Sequence, residues 1–183
     1  MSAILVATAA AAVLLCAETL MAANSPVASE AQVKAVFLVN FGKYVDWPAA
    51  AFPNTNAPIT IGVMGTDRFG EELQQEVEGK TINGRSFVIK HLASDSELVG
   101  CQILFISHSA GDRLSAILEK ASALPLLTVG EDTQFARSGG MINFALKNGN
   151  VRLAINLAAA KKAGLTISSR LLAVADEVTG KTD

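Results

Sequence analysis

The sequence predicts an α/β fold: a mainly parallel sheet with helices on both faces, finished by a β-hairpin and two closing helices. Three observations carry this expectation. Apolar runs of strand length at 59–64, 87–92, 103–107 and 126–129 alternate with stretches of helical spacing at 65–78 and 112–123, which is the rhythm of right-handed βαβ crossovers. The run at 103–107 is apolar almost throughout, as a strand covered on both faces is. Residues 139–175 then change period. Met141, Asn143, Ala145 and Lys147 alternate with Ile142, Phe144 and Leu146, and Val151, Leu153 and Ile155 alternate with Arg152, Ala154 and Asn156. Between the two halves, Asn148-Gly149 tolerates the positive φ angles that a two-residue type I′ turn demands. This hairpin is expected to add an edge to the sheet.

The start of the chain reads as a targeting segment. Residues 3–17 are apolar apart from Thr8 and stop at Glu18, short of the roughly 20 residues that cross a bilayer. A signal peptide over 1–23 fits, with Ala22 and Ala23 at the processing site, although no Lys or Arg precedes Lys34 to make the usual positive start. Residues 24–183 are then one exported, soluble domain. Losing Cys16 with the leader leaves Cys101 alone, so no internal disulfide is expected and Cys101 reads as a small buried residue entering a strand. A formal charge of −2 and a pI near 5.7 give no basic footprint for nucleic acid or for a membrane surface.

The mature chain opens with a helix. Ser29 followed by Gln32 is a capping-box signature, and Val33, Val36, Phe37, Phe41 and Tyr44 recur at helical spacing until Asp46-Trp47-Pro48 ends the element. Leu38, Val39 and Val45 fall off that stripe, so the helix is expected to pack between two layers, with Asn40 on its apolar face as a structural polar contact. Residues 53–58 switch to Pro, Asn and Thr and read as a loop. Asn83-Gly84 marks a turn before the strand at 87–92. In the helix at 112–123, Leu114, Ile117, Leu118 and Ala121 face inward. Near the end, Asn156 can cap a helix over 157–163 that Gly164 stops, and Ser168 can cap a last helix with Leu171, Leu172 and Ala175 inward.

Chemistry is sparse on this frame. Gly62 to Gly70 follows a strand and enters a helix, but its spacing is neither G-x-G-x-x-G nor a P-loop. Ser107, His108, Ser109 and Asp112 contain the letters of a hydrolase triad, yet successive strand residues point to opposite faces and no G-x-S-x-G elbow surrounds either serine. His91 stands alone, and two histidines with one cysteine give no metal-ligand spacing. Glu131-Asp132 places two carboxylates at the carboxyl edge of the sheet, where α/β proteins often bind ligands. Neither catalytic residues nor a cofactor or metal are expected. Lys161-Lys162 suits the end of its helix, so the residues chosen for a partner surface are Asn143, Arg152, Asn156 and Arg170.

Four segments taken together carry a resemblance. VKAVFLVNFGKYVDWP (33–48), QILFIS (102–107), LTVGEDTQFARSGGMINFALKNGNVRLAINL (127–157) and AKKAGLTISSRLLAVA (160–175) resemble the YfiR/HmsC family of periplasmic proteins. The resemblance implies a three-layer α/β/α sandwich and a regulator that is not an enzyme. The family role it implies is to bind and repress the periplasmic sensor region of an inner-membrane diguanylate cyclase, lowering cyclic di-GMP signalling and biofilm formation. Release would then be relayed from envelope stress or from an OmpA-like outer-membrane lipoprotein. A homodimer stays open. The chain departs from the disulfide-bearing version of the family in its single mature cysteine. The alternative reading is a periplasmic small-ligand binder, with its pocket near Thr66, His108 and Glu131.

Overall fold

A computed structural model describes residues 28–66 and 69–180; the expected signal peptide lies outside them. The Ser29 side chain accepts the Gln32 N–H at 3.0 Å and starts helix α1, Glu30–Tyr44. There follow β1 (Val45–Asp46), β2 (Ile59–Met64), α2 (Glu72–Val77), β3 (Thr81–Ile82) and β4 (Arg85–Leu92). Next come β5 (Ile103–Ile106), α3 (Leu114–Ala121), β6 (Leu127–Gly130), β7 (Ile142–Lys147) and β8 (Asn150–Asn156). The chain closes with α4 (Leu157–Lys162), β9 (Thr166–Ile167), α5 (Ser169–Ala173) and β10 (Glu177–Thr179). Every expected strand is present. Of the stretch 65–78 expected to hold a helix, Glu72–Val77 forms one.

Eight strands form one sheet in the order β10-β8-β7-β6-β5-β2-β4-β3. The central strands β4, β2, β5, β6 and β7 are parallel, while β7 with β8 and β3 with β4 are antiparallel hairpins. Chain order reverses direction between β2 and β5, the mark of a doubly wound sheet. Both hairpin turns use positive φ: Asn83 and Gly84 at 52° and 77°, Asn148 and Gly149 at 54° and 74°.

Each face of the sheet buries its own core. On one, Ile61, Val63, Ile103, Phe105, Leu127 and Val129 meet α1 and α2, with Ala160 of α4 and Leu171 of α5 joining them. On the other, Met64, Leu104 and Ile106 meet Leu114, Ile117, Leu118 and Ala121 of α3, all turned inward as expected, and Phe135. Each large side chain buried this way contributes about 1.5–3 kcal/mol against exposure, which is what keeps helices as short as α2 and α5 in place. Layers of helices thus lie on both sides of a mostly parallel sheet.

Three corrections follow. The buried side of α1 carries Lys34, Ala35, Leu38, Phe41 and Gly42, whereas Val36 is exposed and Val33, Phe37 and Tyr44 are half-buried. The helix is apolar nearly all round, so its sequence admits neighbouring stripes, and packing selects the one that holds Gly42. A Cβ there would lie 3.1 Å from Phe87 Cζ and 3.2 Å from Ile59 Cδ1, so the glycine lets the helix approach the sheet. Asn40 is consequently not a core contact, and its Nδ2 donates to Val36 O of its own helix at 2.9 Å. Finally, the closing hairpin is not the edge: β10 pairs in parallel with β8, with Val178 opposite Ile155. The remaining short strands, β1 and β9, form a two-stranded ribbon that ties the end of α1 to the closing segment.

Candidate functional site at the carboxyl edge of the sheet

β6 stops at Gly130, and β7 pairs with it only at Ile142 and Asn143. The rest of β7 therefore runs on past the carboxyl end of its neighbour. Between that extension, the loop after β6 and the first turns of α1 lies a crevice of about 390 Å³, lined by Glu30, Lys34, His108, Glu131, Asn143 and Phe144 among others. A smaller hollow of about 180 Å³ shares Glu30, Lys34 and Glu131 with it and adds Phe69 and Phe105. Beneath both, Phe144 packs against Phe37, Phe41 and Phe105, with ring centroids 6.0–6.4 Å apart, and Phe69 meets Phe105 edge to face at 4.7 Å. The floor is aromatic and the rim is charged.

Lys34 and Glu131 are the centre of that rim. The Lys34 Nζ donates to Glu131 Oε2 at 2.7 Å, and the two side chains are 9% and 8% exposed. The ammonium also pairs with Glu30, one helical turn back, and stands 5.9 Å over the Phe144 ring. Glu131 Oε1 accepts the His108 backbone N–H at 3.2 Å. The exposed His108 ring places Nδ1 3.0 Å from Asp132 Oδ2, and Asp132 Oδ1 accepts the Gln134 N–H and so caps the turn. A single network therefore joins the start of α1 to the ends of β5 and β6.

Several sequence candidates resolve as scaffold. The Ser109 hydroxyl accepts the Thr66 N–H at 2.7 Å and donates to Ser107 Oγ at 3.4 Å, so the serines serve the loops after β2 and β5 rather than the imidazole. Gly65 is packed, since a Cβ on it would meet Ser109 Oγ at 2.7 Å. With Thr66 N–H also taken, Gly65 and Thr66 do not present the open cradle of donors a phosphate needs. His91 is exposed on β4. Among the described residues no group of three or more His, Cys, Asp or Glu is placed to hold a metal ion. Cys101 is buried, and that burial pushes its thiol pKa up.

The four residues chosen for a partner surface do not form one patch. Leu153 and Ile155 of β8 and Phe144 of β7 point to the α1 side, so Asn143, Arg152 and Asn156 share the opposite face. Arg170 lies on α5, whose Leu171 packs into the α1-side core, and so belongs to a different layer. Of the three on the shared face only Arg152 is exposed. Asn156 is spent as a cap, accepting Ala159 N–H at 3.1 Å and donating to Ala136 O at 3.3 Å. Asn143 is 8% exposed, and its Oδ1 has no hydrogen-bond partner. Of the three residues offered for a small-ligand pocket, His108 and Glu131 line the crevice and Thr66 is not among its walls.

Sequence reasoning missed Lys34, the residue on which the network turns. Its signal was present as a cation four residues after Glu30 and in helical phase with Leu38, Phe41 and Val45, all buried.

Fold and site together define the class: a doubly wound α/β domain whose open edge carries a charged crevice above an aromatic floor. The chain belongs to the YfiR/HmsC-like family, whose model matches residues 31–176. No curated protein matches it. Among solved structures, a conserved domain protein from Vibrio cholerae O1 biovar El Tor is similar with a TM-score of 0.56 at 14% identity, over 82% of this chain and 60% of that one. The ABC domain from Streptococcus pneumonia in complex with L-Trp is similar with a TM-score of 0.52 at 12% identity, over 79% and 60%. The chain thus spans 60% of the length of each. At these identities the likeness shows the fold alone.

Proposed function

We propose that this protein is a periplasmic regulator that acts by contact with another protein. Its target is the periplasmic sensor region of an inner-membrane diguanylate cyclase, which it holds inactive, lowering cyclic di-GMP signalling and biofilm formation. Family membership over 31–176 is the observation that carries this reading. It is supported by the exposed Arg152 on the hairpin face opposite the α1-side core, with Arg170 as a second contact in the other layer. Export of a domain beginning near residue 24 belongs to the same proposal; among the described residues no helix is long and apolar enough to cross a membrane. An OmpA-like outer-membrane lipoprotein that captured the protein would release the cyclase.

Deleting the gene tests the proposal. Cyclic di-GMP is expected to rise and to fall again on complementation with wild type, but less with Arg152→Glu. An unchanged level while the cyclase is expressed would overturn it. A second reading, a small-ligand site, is favoured by the crevice at the carboxyl ends of β6 and β7, where open α/β sheets bind their ligands.

A further inference from the structure

Charge is not spread evenly along this chain. From Thr133 to Ala175 it carries Arg137, Lys147, Arg152, Lys161, Lys162 and Arg170 and no aspartate or glutamate, although the formal charge of the whole is −2. That stretch builds β7, β8, α4 and α5, and β8 lies one strand from the edge of the sheet. Glu71, Glu72, Glu76 and Glu78 gather in and around α2, which packs beside β4 near the other edge. Like charges gathered at one end repel one another and do nothing for the fold, but they attract the opposite charge from outside.

We infer that this basic end docks a carboxylate-rich segment of the partner protein, with Arg137 and Arg152 as its anchors. The inference rests on the regulator reading and names the chemistry of the surface that is recognised. Several lysines are neutralised within the fold: Lys34 by Glu131, Lys120 by Asp95 and Lys147 by Asp176. Arg137, Arg152, Lys162 and Arg170 are exposed and, among the described residues, join no ion pair. Asn156 brings the first two onto one side. Its Nδ2 donates to Ala136 O at 3.3 Å, which sets the loop carrying Arg137 against the end of β8. Arg152 projects from the same face of β8, four residues back and so roughly 14 Å along the strand. Glu177, in register with Ala154, is the one carboxylate that β10 adds to this face. Lys162 shares the wall of a groove with Glu119, so the two arginines are the better anchors. A guanidinium fork grips a carboxylate through two parallel N–H bonds, and arginine is enriched where proteins meet. A net charge of −2 gives no long-range pull towards nucleic acid or an anionic membrane, which favours a local contact with protein.

Biolayer interferometry of the folded chain against the purified sensor region, at low and at physiological salt, tests the assignment. Association is expected to slow as salt rises. Arg137→Gln and Arg152→Gln are each expected to weaken binding about two- to fivefold, and the double variant to flatten the salt dependence. Lys90→Gln makes the same charge change at an exposed position of β4, towards the other end of the sheet, and is expected to leave both unchanged. Circular dichroism checks that every variant is folded. Binding that ignores salt and both arginine variants, or that falls equally with Lys90→Gln, overturns the basic docking face and leaves the regulator reading standing. No binding at either salt overturns both. Sedimentation of the chain alone and flotation with phosphatidylglycerol vesicles complete the test: a dimer, or vesicle binding, that the arginine variants abolish would give this face to a second copy or to lipid and overturn the inference.

Discussion

Lys34→Met removes the ammonium that links α1 to Glu131. At 2.7 Å and an effective dielectric of about 20, the two charges attract by roughly 6 kcal/mol, but each ion gave up several kcal/mol of hydration to reach that position. The intact pair is close to neutral in net terms. The variant keeps the desolvation of Glu131 and loses the Lys34 attraction, while Glu131 Oε1 still accepts the His108 N–H. Removing one partner of a buried pair costs about 3–5 kcal/mol. With the remaining contacts of Glu131 in place, Lys34→Met is expected to lower the unfolding free energy by about 3 kcal/mol, the low end of that range. Urea denaturation of wild type and variant measures this. A loss under about 1 kcal/mol refutes the reasoning. The double variant Lys34→Met, Glu131→Gln is expected to recover part of the loss, since no carboxylate is left beside the missing ammonium.

Four further outcomes follow from the same contacts. Gly130→Ala puts a Cβ 2.2 Å from the Phe135 ring, which also leaves no room at Gly140, and should cost about 2 kcal/mol or more by urea denaturation, less in a Phe135→Leu background. The Cys101 thiol, raised in the fold by burial, should react slowly with a thiol reagent in native buffer and quickly in urea. Because its folded pKa lies above the unfolded one, its contribution to stability is present below the ordinary thiol range and lost as pH climbs through it, which unfolding curves at pH 7 and 10 would show. Asn143→Leu removes a buried unpaired acceptor and should leave the melting temperature unchanged or higher.

The parts of the fold legible in the sequence were those where one physical term dominates. Strands β2, β5 and β6 are apolar on both faces, and Asn148-Gly149 is a turn few other dipeptides can make, so local reading suffices. Ser29, Asn156 and Ser168 were readable because each side chain caps the helix that follows it, within three residues. The inner face of α1 was not, since an all-round apolar helix has no preferred stripe and the choice rests on the room that Gly42 leaves against Phe87. Strand β10 has three residues and no pattern of its own; it exists through its pairing with Ala154, Ile155 and Asn156. Glu131 was legible as an acid at the carboxyl edge. Its partner was not, because 97 positions separate Lys34 from it and only the closed sheet brings them together.

The same topology puts the exposed hairpin face and the crevice on opposite sides of the sheet. Between β6 and β7 the chain forms no α-helix, and α4 and α5 send Ala160 and Leu171 to the α1 side. The layer that α3 provides therefore stops short of the hairpin, and a groove of about 450 Å³ between α3 and the start of α4, with Thr128 and Met141 in its wall, marks the gap. A sheet face without a helix must be polar to stay soluble, and Arg152 and Lys147 keep it so on exposed positions of β8 and β7. The crevice instead opens by α1, above Phe144. Arg152→Glu should weaken capture of the cyclase sensor region, while Asn143→Leu, at a buried position of the same face, should leave it intact. Pull-down with the two variants checks this; equal capture by Arg152→Glu and wild type would remove this face of the hairpin as the contact.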